Sequence, residues 1–228
     1  DHEKNQIQNL SFVLDLALDC GNTLPNYLWN INPLGGAVLP ATIQFNSSVT
    51  DVVVSGALPP IANQLTINGA ISGGKVRLTR TGGYVGPALV ITGCTSCTAN
   101  IYLRNLKIQG FTGDGITNLT NGLTDSSFTG LEIFDNGGNG ITLGFSPSKN
   151  PRNIIIGGPN AADRNLIYHN AGRGISISGI STADWTNFDT LIEGNYIGMT
   201  GTGVTAANGG DGVYLSNVRG VTVGGSTS

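Results

Sequence analysis

Three stretches decide how this chain folds: NGGNGI at Asn136–Ile141, NAGRGI at Asn170–Ile175 and NGGDGV at Asn208–Val213. Each reads Asn, small, Gly, any residue, Gly, aliphatic. The first two copies begin 34 residues apart and the next pair 38 apart. A related copy, FTGDGI, opens at Phe111, 25 residues before Asn136. A phosphate-cradling loop occurs once and has a helix behind it, so repetition points to architecture rather than nucleotide chemistry.

Short alternating triplets flank each copy. After the motif come Ile116-Thr117-Asn118, Ile141-Thr142-Leu143, Ile175-Ser176-Ile177 and Val213-Tyr214-Leu215. Period 2 turns the first and third residues inward and the middle one outward. Before the motif stand Leu106-Lys107-Ile108, Leu131-Glu132-Ile133, Asn165-Leu166-Ile167 and Asn195-Tyr196-Ile197, with a constant Ile facing the core. A third column is visible in Asn153–Gly158 and Val221–Gly225. Three short strands per turn with loops of variable length predict an all-β parallel solenoid of about five coils. Asn136, Asn170 and Asn208 are expected to stack as a ladder that bonds to itself and to turn backbone. The motif glycines are expected to supply positive φ.

Composition agrees with this class. The 228 residues include 35 Gly, only 11% charged residues and one Met. Mean hydropathy of +0.07 and dense aliphatic triplets argue against disorder. A formal net charge of −3 offers no basic footprint, so nucleic acid is not an expected partner. No apolar run approaches the ~20 residues of a membrane span. The opening DHEKNQ has no signal-peptide character and reads as a mature N-terminus. One CxxC, Cys94 and Cys97, with Cys20 apart, is a weak zinc or redox signal and reads more simply as a turn-closing disulfide or two buried thiols, so no cofactor is expected.

The stretches NIIIGGPNAADRNLIYHNAGRGI and IEGNYIGMTGTGVTAANGGDGVYL resemble bacterial right-handed parallel β-helix repeat proteins, which share the pectate-lyase-like fold. The resemblance runs from about Pro40 to the C-terminus. It implies a secreted or cell-surface bacterial protein.

This divides the chain into an N-terminal segment, 1–39, and a parallel β-helix, 40–228. Leu10, Val13, Leu14, Ala17 and Leu18 make a helical stripe, so Gln6–Cys20 is expected to be a helix capping the first coil. No capping helix follows Val221–Ser228. The β-helix is therefore expected to continue downstream, or to pair with another copy through an open coil.

For function the leading expectation is an exported structural or adhesive module without turnover, taking a polysaccharide or cell-surface glycan. Its candidate ligand strip is the column between the motif glycines, Asp114, Asn139, Arg173 and Asp211, stacked ~4.8 Å per coil. Trp185 and Tyr196, in or beside long excursions, are candidates for stacking on a sugar ring. Lys107 and Glu132 are expected to pair across coils, and His169 matches Asp135 at a polar corner. The resemblance also implies two alternatives: a polysaccharide lyase or glycoside hydrolase, and a tailspike-like fibre. The sequence lacks the hydrolases' close Asp pair and Gly-His-Gly segment.

Overall fold

The structure, a computed structural model, describes residues 11–14, 41–58, 60–61, 64–92, 100–118, 123–145, 152–179 and 186–225. Among these the protein is all-β. Three sheets, each with only parallel pairings, contain eight, six and five strands. Sheet 1 stacks Ser11–Leu14, Ala41–Phe45, Leu65–Asn68, Ile101–Arg104, Thr124–Thr129, Arg152–Gly157, Thr186–Glu193 and Val218–Val223. Sheet 2 runs from Asp51–Val54 through Arg77–Arg80, Lys107–Gln109, Glu132–Phe134 and Leu166–Tyr168 to Tyr196–Ile197. Sheet 3 runs from Leu89–Ile91 through Ile116–Asn118, Ile141–Phe145 and Ile175–Gly179 to Val213–Ser216. From Leu65 onward the chain visits sheets 1, 2 and 3 in that order five times, giving a solenoid-like stack.

The triplets take their expected register. Ile116, Ile141, Ile175 and Val213 align in sheet 3, and Ile108, Ile133, Ile167 and Ile197 align in sheet 2. Ile108, Ile116, Ile133, Ile141, Ile167 and Ile175 are fully buried. Burying such a side chain contributes about 1.5–3 kcal/mol, so these rows are the main cohesive term. Ile197 and Val213 are only partly buried, because each lies on the last strand of its sheet. Leu215 and Val223, also on last strands, are exposed.

The asparagine ladder forms as expected. Asn136 Nδ2 donates to Asn170 Oδ1 at 3.0 Å, and Asn170 Nδ2 donates to Asn208 Oδ1 at 3.0 Å. Each also donates to a carbonyl on a neighbouring coil, that of Ile108, Ile133 or Ile167. A second ladder at another corner links Asn165 to Asn195 at 2.9 Å, and Asn165 Oδ1 accepts the N–H of Leu131.

Two expectations fail. The motif glycines do not have positive φ; in three of the four copies that conformation falls one residue before the motif, at Gly110, Asp135 and His169. The glycines serve close packing instead. A Cβ on Gly115 would stand 2.5 Å from Ile133 Cγ2 and 2.7 Å from the carbonyl oxygen of Gly140. Nor does the capping helix over Gln6–Cys20 form as expected, because Ser11–Leu14 is a strand parallel to Ala41–Phe45. That edge presents a row of unpaired backbone donors and acceptors, and a strand satisfies them where a helix cannot. The other residues of that segment lie outside the described residues, as do Cys20, Cys94, Cys97 and Trp185.

Candidate functional site

The strip between the motif glycines does come together, but its groups are committed to one another. Asp114 Oδ1 accepts the backbone N–H of Asn139 at 2.7 Å, and Asn139 Oδ1 accepts that of Arg173 at 2.7 Å. Asn139 Nδ2 also donates to Thr142 Oγ1. The Arg173 guanidinium pairs with Asp211 at 3.1 Å and lies 3.6 Å from the Tyr214 ring centroid. These side chains act as an outer hydrogen-bond ladder between coils. Thr117, in the adjacent outward column, is buried, as is Ser176.

Tyr196 is likewise occupied: the Arg164 guanidinium covers its ring at 4.1 Å while Arg164 Nε donates to the Gly194 carbonyl. On the outer face of sheet 2, Lys107 and Glu132 pair at 3.2 Å across adjacent coils, as their register requires. Tyr168 adds a bond the sequence did not reveal, its hydroxyl donating to Glu132 Oε1 at 2.8 Å while its ring stacks on Phe134. Burial, then this bond and the charge of Glu132, push the Tyr168 phenol well above its usual range. Burial pulls the nearby Lys75 ammonium down, against Glu132, which raises it. A polar string crosses the same face from Asp51 through Arg77, Gln109 and Asp135 to His169.

Uncommitted polar groups collect elsewhere, on the outer face of sheet 1. Its outward residues form two columns, Tyr102–Ser127–Ile155–Leu191 and Arg104–Thr129–Gly157–Glu193. The second column has a gap at Gly157, where a Cβ would strike the carbonyl oxygen of Glu193. The excursion that follows, from Gly158 to Asp163, builds a wall beside the gap. Together they enclose a groove of about 410 Å³ lined by Arg104, Ser127, Thr129, Ile155, Asp163 and Glu193, among others.

The groove's chemistry follows from what these groups do not do. Among the described residues, the side chains of Ser127, Thr129 and Glu193 make no hydrogen bond or ion pair. Arg104 only lies over the Tyr102 ring, at 5.3 Å. Asp163 is steadied by Asn160 Nδ2 at 2.7 Å, which leaves its other oxygen unused. Ile155 contributes an exposed apolar surface, 40% accessible, in the floor. Hydroxyls and an apolar patch between a guanidinium and two carboxylates can hydrogen-bond a hydroxyl-rich chain and pack against its apolar faces.

None of these groove residues belongs to the strip expected from the motif. Aligning IYLR, SFT, IIG and LIE at their inward residues Leu103, Phe128, Ile156 and Ile192 would have exposed both outward columns. Among the described residues no group of His, Cys, Asp and Glu is arranged to hold a metal ion, and no helix is long and apolar enough to cross a membrane. No family model, curated protein or solved structure matches this chain.

Proposed function

We propose that the chain is a right-handed parallel β-helix module of an exported bacterial surface or extracellular protein, and that it binds a glycan without turning it over. Parallel β connections are right-handed in about 98% of cases, which supports the handedness. The resemblance of the repeat stretches supports the bacterial, exported setting. One observation carries the binding role: the outer ladder spends its polar groups internally, whereas Arg104, Ser127, Thr129 and Glu193 present theirs unspent to one groove. Calorimetric titration with a panel of neutral, acidic and basic oligosaccharides tests this. At least one should bind, and Thr129→Val with Arg104→Ala should weaken it while circular dichroism stays unchanged. A panel without a single binder would sink the proposal.

A hydrolase reading has one observation in its favour, since Asp163 and Glu193 line the same groove. We expect no release of reducing ends from any oligosaccharide that binds. Cleavage that disappears in Glu193→Gln or Asp163→Asn would establish the enzyme instead.

A further inference from the structure

We infer that the groove selects a glycan carrying free ammonium groups and disfavours a polyanionic one. The inference rests on the glycan-binding reading above and adds its charge class. Arg104, Thr129, Gly157 and Glu193 occupy matching positions on four consecutive coils. Three spacings of ~4.8 Å separate Arg104 from Glu193 by about 14 Å along the stack. That exceeds the ~8 Å Debye length at physiological ionic strength, so the two ends act on a ligand almost independently.

Glu193 lies at the end away from Arg104, and Asp163 stands one coil before it, its own carbonyl accepting the N–H of Gly130 beside Thr129. Asp163 stands against Gly158, and the N–H of Gly158 bonds to the carbonyl of Glu193. Glu193 Oε2 leans over Gly225 of the next coil, where the absence of a Cβ gives it room. No cation among the described residues pairs with either carboxylate, although Asp51, Glu132, Asp135 and Asp211 each have one or a histidine; Arg164, the neighbouring guanidinium, is committed to the Gly194 carbonyl and the Tyr196 ring. A polymer with a carboxylate on every sugar must place one near Asp163 or Glu193, where like charges repel and carboxylates can only accept hydrogen bonds. An ammonium group there makes charge-assisted bonds. Arg104 has only donors, so it takes an oxygen acceptor of the ligand and excludes a second ammonium from its own end. The groove therefore holds its ligand in one direction, ammonium toward the later coils.

Titration of the folded protein with three probes tests this: a glucosamine oligomer, its N-acetylated counterpart and a galacturonate oligomer. The glucosamine oligomer should bind about tenfold or more tighter than the acetylated one, the scale of one charge-assisted bond, and the galacturonate should bind weakest. Glu193→Gln with Asp163→Asn should erase the preference, so that the glucosamine and acetylated oligomers bind with equal affinity. High salt should narrow the gap. Galacturonate binding as tightly as glucosamine, or a preference that survives the double substitution, would overturn the charge assignment and leave glycan binding standing. Absence of binding by every probe would overturn both.

Discussion

Asn136 hands its side-chain amide proton to Asn170 Oδ1, and that same oxygen also accepts the backbone N–H of Asn136. One side chain on one coil thus fastens two groups of the coil before it. Asn208 repeats the arrangement toward Asn170. The repeat is therefore a fastening between coils, made where the chain turns from sheet 2 toward sheet 3.

Asn170→Ala should be among the most damaging polar substitutions. It leaves the buried backbone N–H of Asn136 without its acceptor and removes one bond each from the Asn136 side-chain amide and the Ile133 carbonyl. Buried groups left unsatisfied cost about 1–3 kcal/mol each, so a loss of about 2–4 kcal/mol is expected in urea unfolding. A loss indistinguishable from zero would mean that water replaces the ladder.

The hydrophobic rows allow an internal comparison. Ile175 is fully buried between Ile141 and Val213, and Ile175→Ala should cost about 2–5 kcal/mol. Val213→Ala, on a partly buried side chain at the last strand, should cost distinctly less. Equal costs in the same denaturation series would contradict the placement of Val213 at the edge of the row.

How far the sequence discloses this molecule depends on whether a position repeats its residue type. Ile108, Ile133 and Ile167 recur with the same letter because each fills the same space, so the core rows are readable. The asparagine ladder is readable for the same reason. The motif glycines reveal only that nothing larger fits; that Ile133 Cγ2 and the Gly140 carbonyl are the obstacle at Gly115 needs coordinates. Arg104, Thr129, Gly157 and Glu193 share no letter, because outward side chains fill no common space (only Gly157 is held small, by the Glu193 carbonyl), so the groove stays hidden. Ser11–Leu14 is a short apolar run whose periodicity suits a helix or a strand, and the adjacent open edge decides between them.

Glycine substitutions should separate close packing from chain flexibility. A Cβ on Gly140 would meet Ile167 Cγ2 and stand 2.7 Å from the Gly174 carbonyl oxygen. Gly140→Ala should therefore cost about 1–3 kcal/mol through overpacking. At Gly82 a Cβ would find no atom within 4 Å, and φ there is not positive, so Gly82→Ala should be tolerated. Thermal melts of the two variants decide it.

Alkaline pH should act through Tyr168. Its folded-state pKa is raised, chiefly by burial and then by Glu132, above the ordinary 10.0. Above that value the unfolded chain loses the phenol proton while the folded chain keeps it. Stability is therefore present below 10.0 and is lost as pH climbs toward the folded-state value. Lys75, whose folded pKa is lowered from 10.5, works oppositely and gains stability as pH approaches that value. Tyr168→Phe removes the phenol and should flatten the alkaline decline in unfolding midpoint. An unchanged decline would assign it to other groups.

The outer ladder yields a test that pits size against bonding. Arg173 is the larger side chain, yet its ion pair with Asp211 is well exposed, 38% and 60% accessible, so Arg173→Ala should cost at most about 1 kcal/mol. The backbone N–H of Arg173 would still reach Asn139 Oδ1. Asn139→Ala removes that acceptor and the bond to Thr142 Oγ1 together, leaving a partly buried backbone group unpaired. It should cost about 1–2 kcal/mol, more than the arginine truncation. Neither substitution should change oligosaccharide affinity, because the ladder lies in the turns that lead into sheet 3 and the groove on sheet 1. Arg173→Ala abolishing binding in a folded protein would move the ligand site to the strip, and the groove would lose its role.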